Sequence, residues 1–132
     1  MLRLMQVNDF SILVVDDKPA VLVTYKIILQ QQGYDVVGAT SCDEAFEQLA
    51  SRHFDLLLCD YTLEEDRNGF HVIDEAHRRI PGIRSVLMTG YSEEEVSDDA
   101  TRRGVTVLCK PVNVTELLNT LAATTSSRRA IA

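Results

Sequence analysis

Two short apolar runs in this chain end abruptly on acids. The first, Ser11-Ile12-Leu13-Val14-Val15, runs directly into Asp16-Asp17, and the second, Phe54-Asp55-Leu56-Leu57-Leu58-Cys59, delivers Asp60. About five apolar residues without polar alternation suit an interior strand of a parallel sheet covered on both faces. An acid inside such a strand would be costly. At its carboxyl end the acid lies where the crevice of an open parallel sheet opens and where ligands bind. Two adjacent strand tips would then carry three carboxylates, which repel one another unless one is protonated or a cation sits among them. A hard divalent ion is the simpler answer. Oxygen-only ligands suit Mg2+, which takes one or two carboxylates together with waters and phosphate oxygens. A carboxylate beside such an ion is a candidate phosphoryl acceptor, because carboxylates serve as covalent nucleophiles and the metal neutralises charge on the transferring group.

Two further apolar runs end on polar groups: residues 83–88 on Thr89-Gly90, and residues 105–109 on Lys110-Pro111. Taken singly, each exit has a plain reading. An acid after a strand is often a helix cap, a Thr there a turn residue, and a Lys before Pro a solvated loop charge. Together they make a phosphorylation site. Asp16, Asp17 and Asp60 would hold Mg2+, Asp60 would attack phosphorus, and the Thr89 hydroxyl and Lys110 ammonium would bind the phosphate oxygens.

Between these exits lie helices that can position them. Pro19 suits a first helical turn, and Leu22, Tyr25, Ile28 and Leu29 keep helical spacing up to Gly33, a C-terminal stop. Residues 35–39 form a short strand, and Ser41 with Glu44 makes a capping box for a helix carrying Ala45, Phe46 and Leu49. A polar, acidic loop (62–68) follows the Asp60 strand, Gly69 opens the next helix, and Pro81-Gly82 ends it. Ser92 with Glu95 is a second capping box, for an acidic helix whose clear apolar residues are Val96 and Ala100. That helix should be weakly anchored and solvent-facing. Val114, Leu117, Leu118 and Leu121 mark an amphipathic last helix, and the tail from Thr124 is polar and expected to fray. Five strands alternating with five helices imply right-handed parallel crossovers, hence a doubly wound α/β sandwich.

Length and composition are consistent with that. The 132 residues suit one domain, 1–132, with a core over about 11–123 and a polar tail at 124–132. Acids number 20 against 13 Lys and Arg, a formal net charge of −7, which disfavours direct nucleic-acid binding. No run approaches the roughly 18 apolar residues of a membrane span, and the N-terminus lacks a secretory pattern, so the expected location is the cytoplasm. Cys42, Cys59 and Cys109 lack metal-type spacing and read as reduced, buried thiols. His53, His71 and His77 are too scattered for a ligand set, and Arg128-Arg129 is too short a basic patch for DNA.

The ordered set Asp16-Asp17, Asp60, Thr89, Lys110, each at a strand exit, resembles the receiver domain of bacterial two-component response regulators, over about residues 11–123. The resemblance implies a flavodoxin-like five-stranded parallel sheet in the order 2-1-3-4-5. It implies that Asp17 is the direct Mg2+ ligand, Asp16 a ligand acting largely through water, Asp60 the phospho-acceptor and a metal ligand, and the Thr62 carbonyl a further ligand. Thr89 looks like the hydroxyl residue that moves onto the phosphate, Gly90 like its small neighbour, Lys110 like the conserved lysine and Pro111 like the family's cis proline. The phosphoryl donor would be a histidine kinase or a histidine phosphotransfer protein. A homodimer through the last two helices and strand is a further expectation, and the downstream target is unnamed. The implied role is a switch that catalyses only its own phosphotransfer and autodephosphorylation.

Three departures stand out. Glu64 replaces a common Pro four residues after the acceptor, Gly69 comes about one residue late, and Val107 occupies the place of an aromatic switch residue three before the lysine. Coupling would then pass through residues 90–92 and the acidic helix, with Tyr91 moving in place of the missing ring. A metal-dependent phosphohydrolase with an aspartyl nucleophile is one alternative, although it would usually carry a second acid where Thr62 stands. An inert module with a receiver fold is another, opposed by the intact acids, Thr89 and Lys110. No output domain fits after Thr124, which leaves a stand-alone regulator or a receiver cut from a hybrid kinase or multidomain regulator.

Overall fold

The computed structural model describes residues 10–90 and 94–131, with side chains at 94, 95 and 125–131 left aside. In chain order the elements are β1 (Ser11–Val15), α1 (Pro19–Gln31), β2 (Asp35–Ala39), α2 (Cys42–Ser51), β3 (Leu56–Asp60), α3 (Gly69–Arg79), β4 (Arg84–Thr89), α4 (Glu94–Arg103), β5 (Thr106–Cys109) and α5 (Val114–Ile131). All strand pairs are parallel and the sheet order is β2-β1-β3-β4-β5. Because successive residues of a strand face opposite sides, the apolar residues of the strands supply two cores. Leu13, Val15, Leu57, Cys59 and Leu87 pack with α2, α3 and α4; Ile12, Val14, Leu56, Leu58, Val86 and Met88 pack with α1 and α5.

The order reverses at β1. The chain leaves β1 for β2 on one side and returns to place β3 on the other, so the exits of β1 and β3 flank the crevice of the sheet. Val15 is in register with Cys59, and Asp60 with Met88, so the acid-bearing tips end level with each other.

Helix boundaries follow local chemistry. Pro19 opens α1, and Gly33, at φ 92°, ends it while its N–H donates to the Gln30 carbonyl at 2.9 Å. The expected Ser41–Glu44 box is half formed: Ser41 Oγ accepts the Glu44 N–H at 3.1 Å, but the Glu44 carboxylate reaches Thr40 N and Oγ1 instead. Asn68 caps α3 in a box completed by His71, whose Nδ1 accepts the Asn68 N–H at 3.1 Å. The Ser92–Glu95 box lies outside the described residues.

Helix α4 buries Val96 and Ala100 as expected and exposes Ser97, Asp98, Thr101 and Arg102. Its C-terminal end carries an additional fastening. Arg103 forms a two-pronged ion pair with Asp74 of α3, at 2.7 and 3.1 Å, and lies 4.4 Å over the Phe70 ring. The backbone of α5 is helical past Thr124, as far as Ile131. One sequence reading is corrected. Cys42 and Cys59 are buried free thiols, but Cys109 is exposed, because it ends β5, an edge strand with β4 as its single neighbour.

One contact ties α3 to the tip of β3. A Cβ on Gly69 would lie 2.6 Å from the Asp60 carbonyl oxygen and 2.8 Å from Leu87 Cδ1. Gly69→Ala is expected to destabilise the fold by about 1–3 kcal/mol, the usual cost of overpacking. Gly90→Ala, where an added Cβ meets open space, should stay within about 0.5 kcal/mol of the parent. Urea unfolding of both variants measures the contrast, and equal stabilities would show that the close approach is no constraint.

Candidate functional site

The site assembles from strand ends extended by one more backbone bond. Asp16 N donates to the Ala39 carbonyl at 3.1 Å, Tyr61 N to Met88 at 2.8 Å, and Lys110 N to Thr89 at 2.8 Å. The sheet's hydrogen bonding therefore carries past each strand and fixes where the exit residues start. Ligand atoms of Asp16, Asp17 and Asp60 come within 4.8 Å of one another. Lys110 Nζ lies 2.9 Å from Asp60 Oδ1, and the peptide between Lys110 and Pro111 is cis. Asp16, Asp60 and Thr89 are buried, and Asp17 is exposed at the rim.

Burial sets the electrostatics. It pushes the Asp16 carboxyl above its ordinary value; the Lys18 N–H, donating to Oδ1 at 2.9 Å, relieves this in part, while the charge of Asp60 adds to it. Burial also works against the Lys110 ammonium, but its hydrogen bond to Asp60 and the charge of that carboxylate more than offset it. The lysine pKa is raised. Tyr25 of α1, which the sequence presents only as a helix-packing residue, stands beside this group: burial raises its phenol pKa and the Lys110 charge opposes the shift.

The residues present suit a hard divalent cation. Asp16 Oδ2 is buried without a hydrogen-bond partner, an arrangement that leaves a desolvated oxygen lone. It belongs to an all-oxygen set of the kind Mg2+ takes.

Other sequence candidates have surroundings of their own. Thr62 begins the loop after β3 and forms an isolated antiparallel bridge with Asn68. Gly90 is exposed, Val107 is half-buried against the core on the α2–α3–α4 side, and Tyr91 lies outside the described residues. The histidines stay apart. His53 is 3.3 Å from Asp55, His71 caps α3, and His77 meets Ser85 Oγ at 3.0 Å. Sequence reading also gave no partner to Glu64, whose Oε2 accepts the Cys42 N–H at 2.9 Å.

A crevice at the switch point of a 2-1-3-4-5 sheet, lined by three acids and a lysine, defines a class of small α/β sites built to take an anion beside a cation. The chain is a member of the response regulator receiver domain family, whose profile matches residues 12–122. It is 35% identical over 113 residues to the alginate biosynthesis transcriptional regulatory protein AlgB of Pseudomonas putida, covering 85% of this chain and 25% of that protein. To the transcriptional regulatory protein ZraR of Escherichia coli K12 it is 34% identical over 115 residues, covering 86% and 26%. The chain thus spans about a quarter of the length of these curated relatives. A receiver domain protein of Methanospirillum hungatei JF-1, described as CheY-like, superposes with a TM-score of 0.86 at 31% identity, covering 93% of this chain and 98% of that one. Receiver domains are signalling switches that work with histidine kinases or phosphotransfer proteins and bind Mg2+ at an acidic pocket such as this. Among the described residues no helix is long and apolar enough to cross a membrane.

The lone Asp16 oxygen has a measurable consequence. In Mg2+-free buffer at pH 7, Asp16→Asn is expected to stabilise the protein by roughly 1–3 kcal/mol, the cost of an unsatisfied buried polar group. Its amide can donate to the neighbouring carboxylates. Urea unfolding in the presence of a chelator measures this, and a variant no more stable than the parent would contradict it.

Proposed function

We propose that this receiver domain accepts a phosphoryl group on Asp60 and reports it by a change of shape. The contact of Lys110 Nζ with Asp60 Oδ1 at 2.9 Å, inside a cluster of three acids, carries the reading. A phosphohistidine of a kinase or phosphotransfer protein would be the donor. An Asp60 oxygen attacks phosphorus, an O–P bond forms as the P–N bond breaks, and the electron pair leaves with the imidazole nitrogen. Asp16, Asp17, Asp60 and the Thr62 carbonyl would hold Mg2+, with Asp17 binding directly and Asp16 largely through water. That ion supplies charge neutralisation to the phosphoryl oxygens. Lys110 fixes the orientation of the Asp60 carboxylate beforehand and then pairs with a phosphate oxygen. Thr89, buried at the end of β4, supplies its hydroxyl to another.

Acetyl phosphate with Mg2+ should label the protein, and Asp60→Asn should abolish the label. Full labelling of that variant would move the acceptor elsewhere. The phosphohydrolase alternative gains no support from the residue two beyond Asp60, which is Thr62 and not an acid.

The reporter should differ from an aromatic swing. Val107 is short and stiff at its first torsion, so its movement would expose or bury far less surface than a ring. Thr89, Gly90, Tyr91 and the acidic helix are the proposed moving parts, because Val96 and Ala100 are the only buried residues among those described in α4. Hydrogen exchange with and without beryllium fluoride should change across residues 89–103 and stay nearly constant at Val107. A change confined to β5 would overturn this mode of signalling.

A further inference from the structure

The loop joining β3 to α3 is fastened to α2 by two of its residues, Glu64 and Arg67. Glu64 Oε2 accepts the backbone N–H of Cys42, the first residue of α2, at 2.9 Å. Its Oε1 accepts from Arg67 Nε at 3.0 Å, with Arg67 Nη2 also at 3.0 Å. Arg67 continues to Asp43 Oδ1 at 3.0 Å and lies 5.7 Å over the Phe46 ring, so both ends of this brace rest on α2. The Glu64 N–H closes a turn on the Arg67 carbonyl at 3.0 Å, and Leu63 beside it is buried in the core. At the loop's base, Gly69 N donates to the Tyr61 carbonyl at 2.8 Å and Asn68 N to His71 Nδ1 at 3.1 Å.

Between these fixings sits Thr62. Neither the Gly69 nor the Asn68 amide closes on the Thr62 carbonyl, since both bond elsewhere. Helix α2 already has its own N-terminal arrangement without Glu64. Ser41 Oγ accepts the Glu44 N–H, and Asp43 and Glu44 complement the dipole of its first turn. The Glu64 carboxylate thus serves both elements, satisfying the Cys42 N–H at the start of α2 and holding the loop at that point.

We propose that Glu64 is a positioning residue for the metal site, holding the loop so that the Thr62 carbonyl is presented to the cation that Asp16, Asp17 and Asp60 bind. This rests on the phospho-acceptor reading given above. Groups that orient ligands from behind typically change metal affinity by about 10–100-fold when removed. Mg2+ titration calorimetry on the parent, Glu64→Ala, Glu64→Gln and Ser41→Ala, each paired with urea unfolding, tests it. Glu64→Ala should lose about tenfold or more in Mg2+ affinity, with faster exchange of the Thr62 and Leu63 amides. Glu64→Gln, whose amide oxygen still accepts the Cys42 N–H, should recover most of that affinity. Ser41→Ala should lower stability through its lost cap yet bind Mg2+ as the parent does. Parent-like affinity in Glu64→Ala overturns the proposal, as does an equal loss in Ser41→Ala, which would mark the effect as one of stability alone. A parent that binds no Mg2+ would instead bring down the phospho-acceptor reading beneath it. If Glu64→Ala fails to fold, Arg67→Ala removes the lateral brace from the same carboxylate. Unchanged Thr62 and Leu63 exchange and unchanged affinity in that variant would equally overturn the assignment.

Discussion

Three carboxylates within 4.8 Å, faced by a single ammonium at 2.9 Å from one of them, set the terms for the rest of this molecule. Like charges so close are unfavourable, and burial makes them more so. The fold sustains the arrangement because the acids stand at the ends of β1 and β3, whose other residues are buried and, apart from Ser11, apolar. Strand register brings the tips level, one ladder bond beyond each strand holds the exit backbone, and the Lys18 N–H and Lys110 ammonium relieve part of the charge. The partnerless Asp16 oxygen is the part left unrelieved.

The two faces of the sheet serve that end differently. On one, α1 brings Tyr25 beside Lys110, and α5 buries Leu117 and Leu121 beneath the strands. On the other, α2 and α3 brace the loop that leaves Asp60, through Glu64, Arg67 and the Asn68 cap, while Arg103 fastens the end of α4 to α3. The acid-bearing tip is thus supported from behind by backbone and from the side by ion pairs at partly exposed positions. Exposed pairs of this kind contribute geometry more than stability.

What was legible in the sequence was whatever the chain states locally. A polar residue ending an apolar run is visible without a structure, so Asp16, Asp60, Thr89 and Lys110 could be found, and with them the strand count and the parallel crossovers. Pro19, Gly33 and Gly69 punctuate helices by their own backbone preferences and could be found in the same way. Contacts made across the fold could not. Nothing near Glu64 in the chain points to the Cys42 amide, nor does Arg103 point to Asp74, since these partners are 22 and 29 residues apart. Glu44 shows the same limit at short range: its spacing from Ser41 fits a capping box, yet the carboxylate settles on Thr40, one residue further back. Cys109 was misread because an apolar run does not disclose that its strand lies at the sheet's edge.

The missing side chain at Gly69 gives the tip of β3 a backstop. The Asp60 carbonyl sits so near the start of α3 that not even a methyl group fits between them, and Leu87 closes the same space. Close-packed protein of this kind is nearly incompressible. A strand end pressed from the crevice side by an added group has no room to recoil toward α3. The contact between β3 and α3 is thus a fixed stop, and any yielding at that tip has to be taken up by other parts of the site.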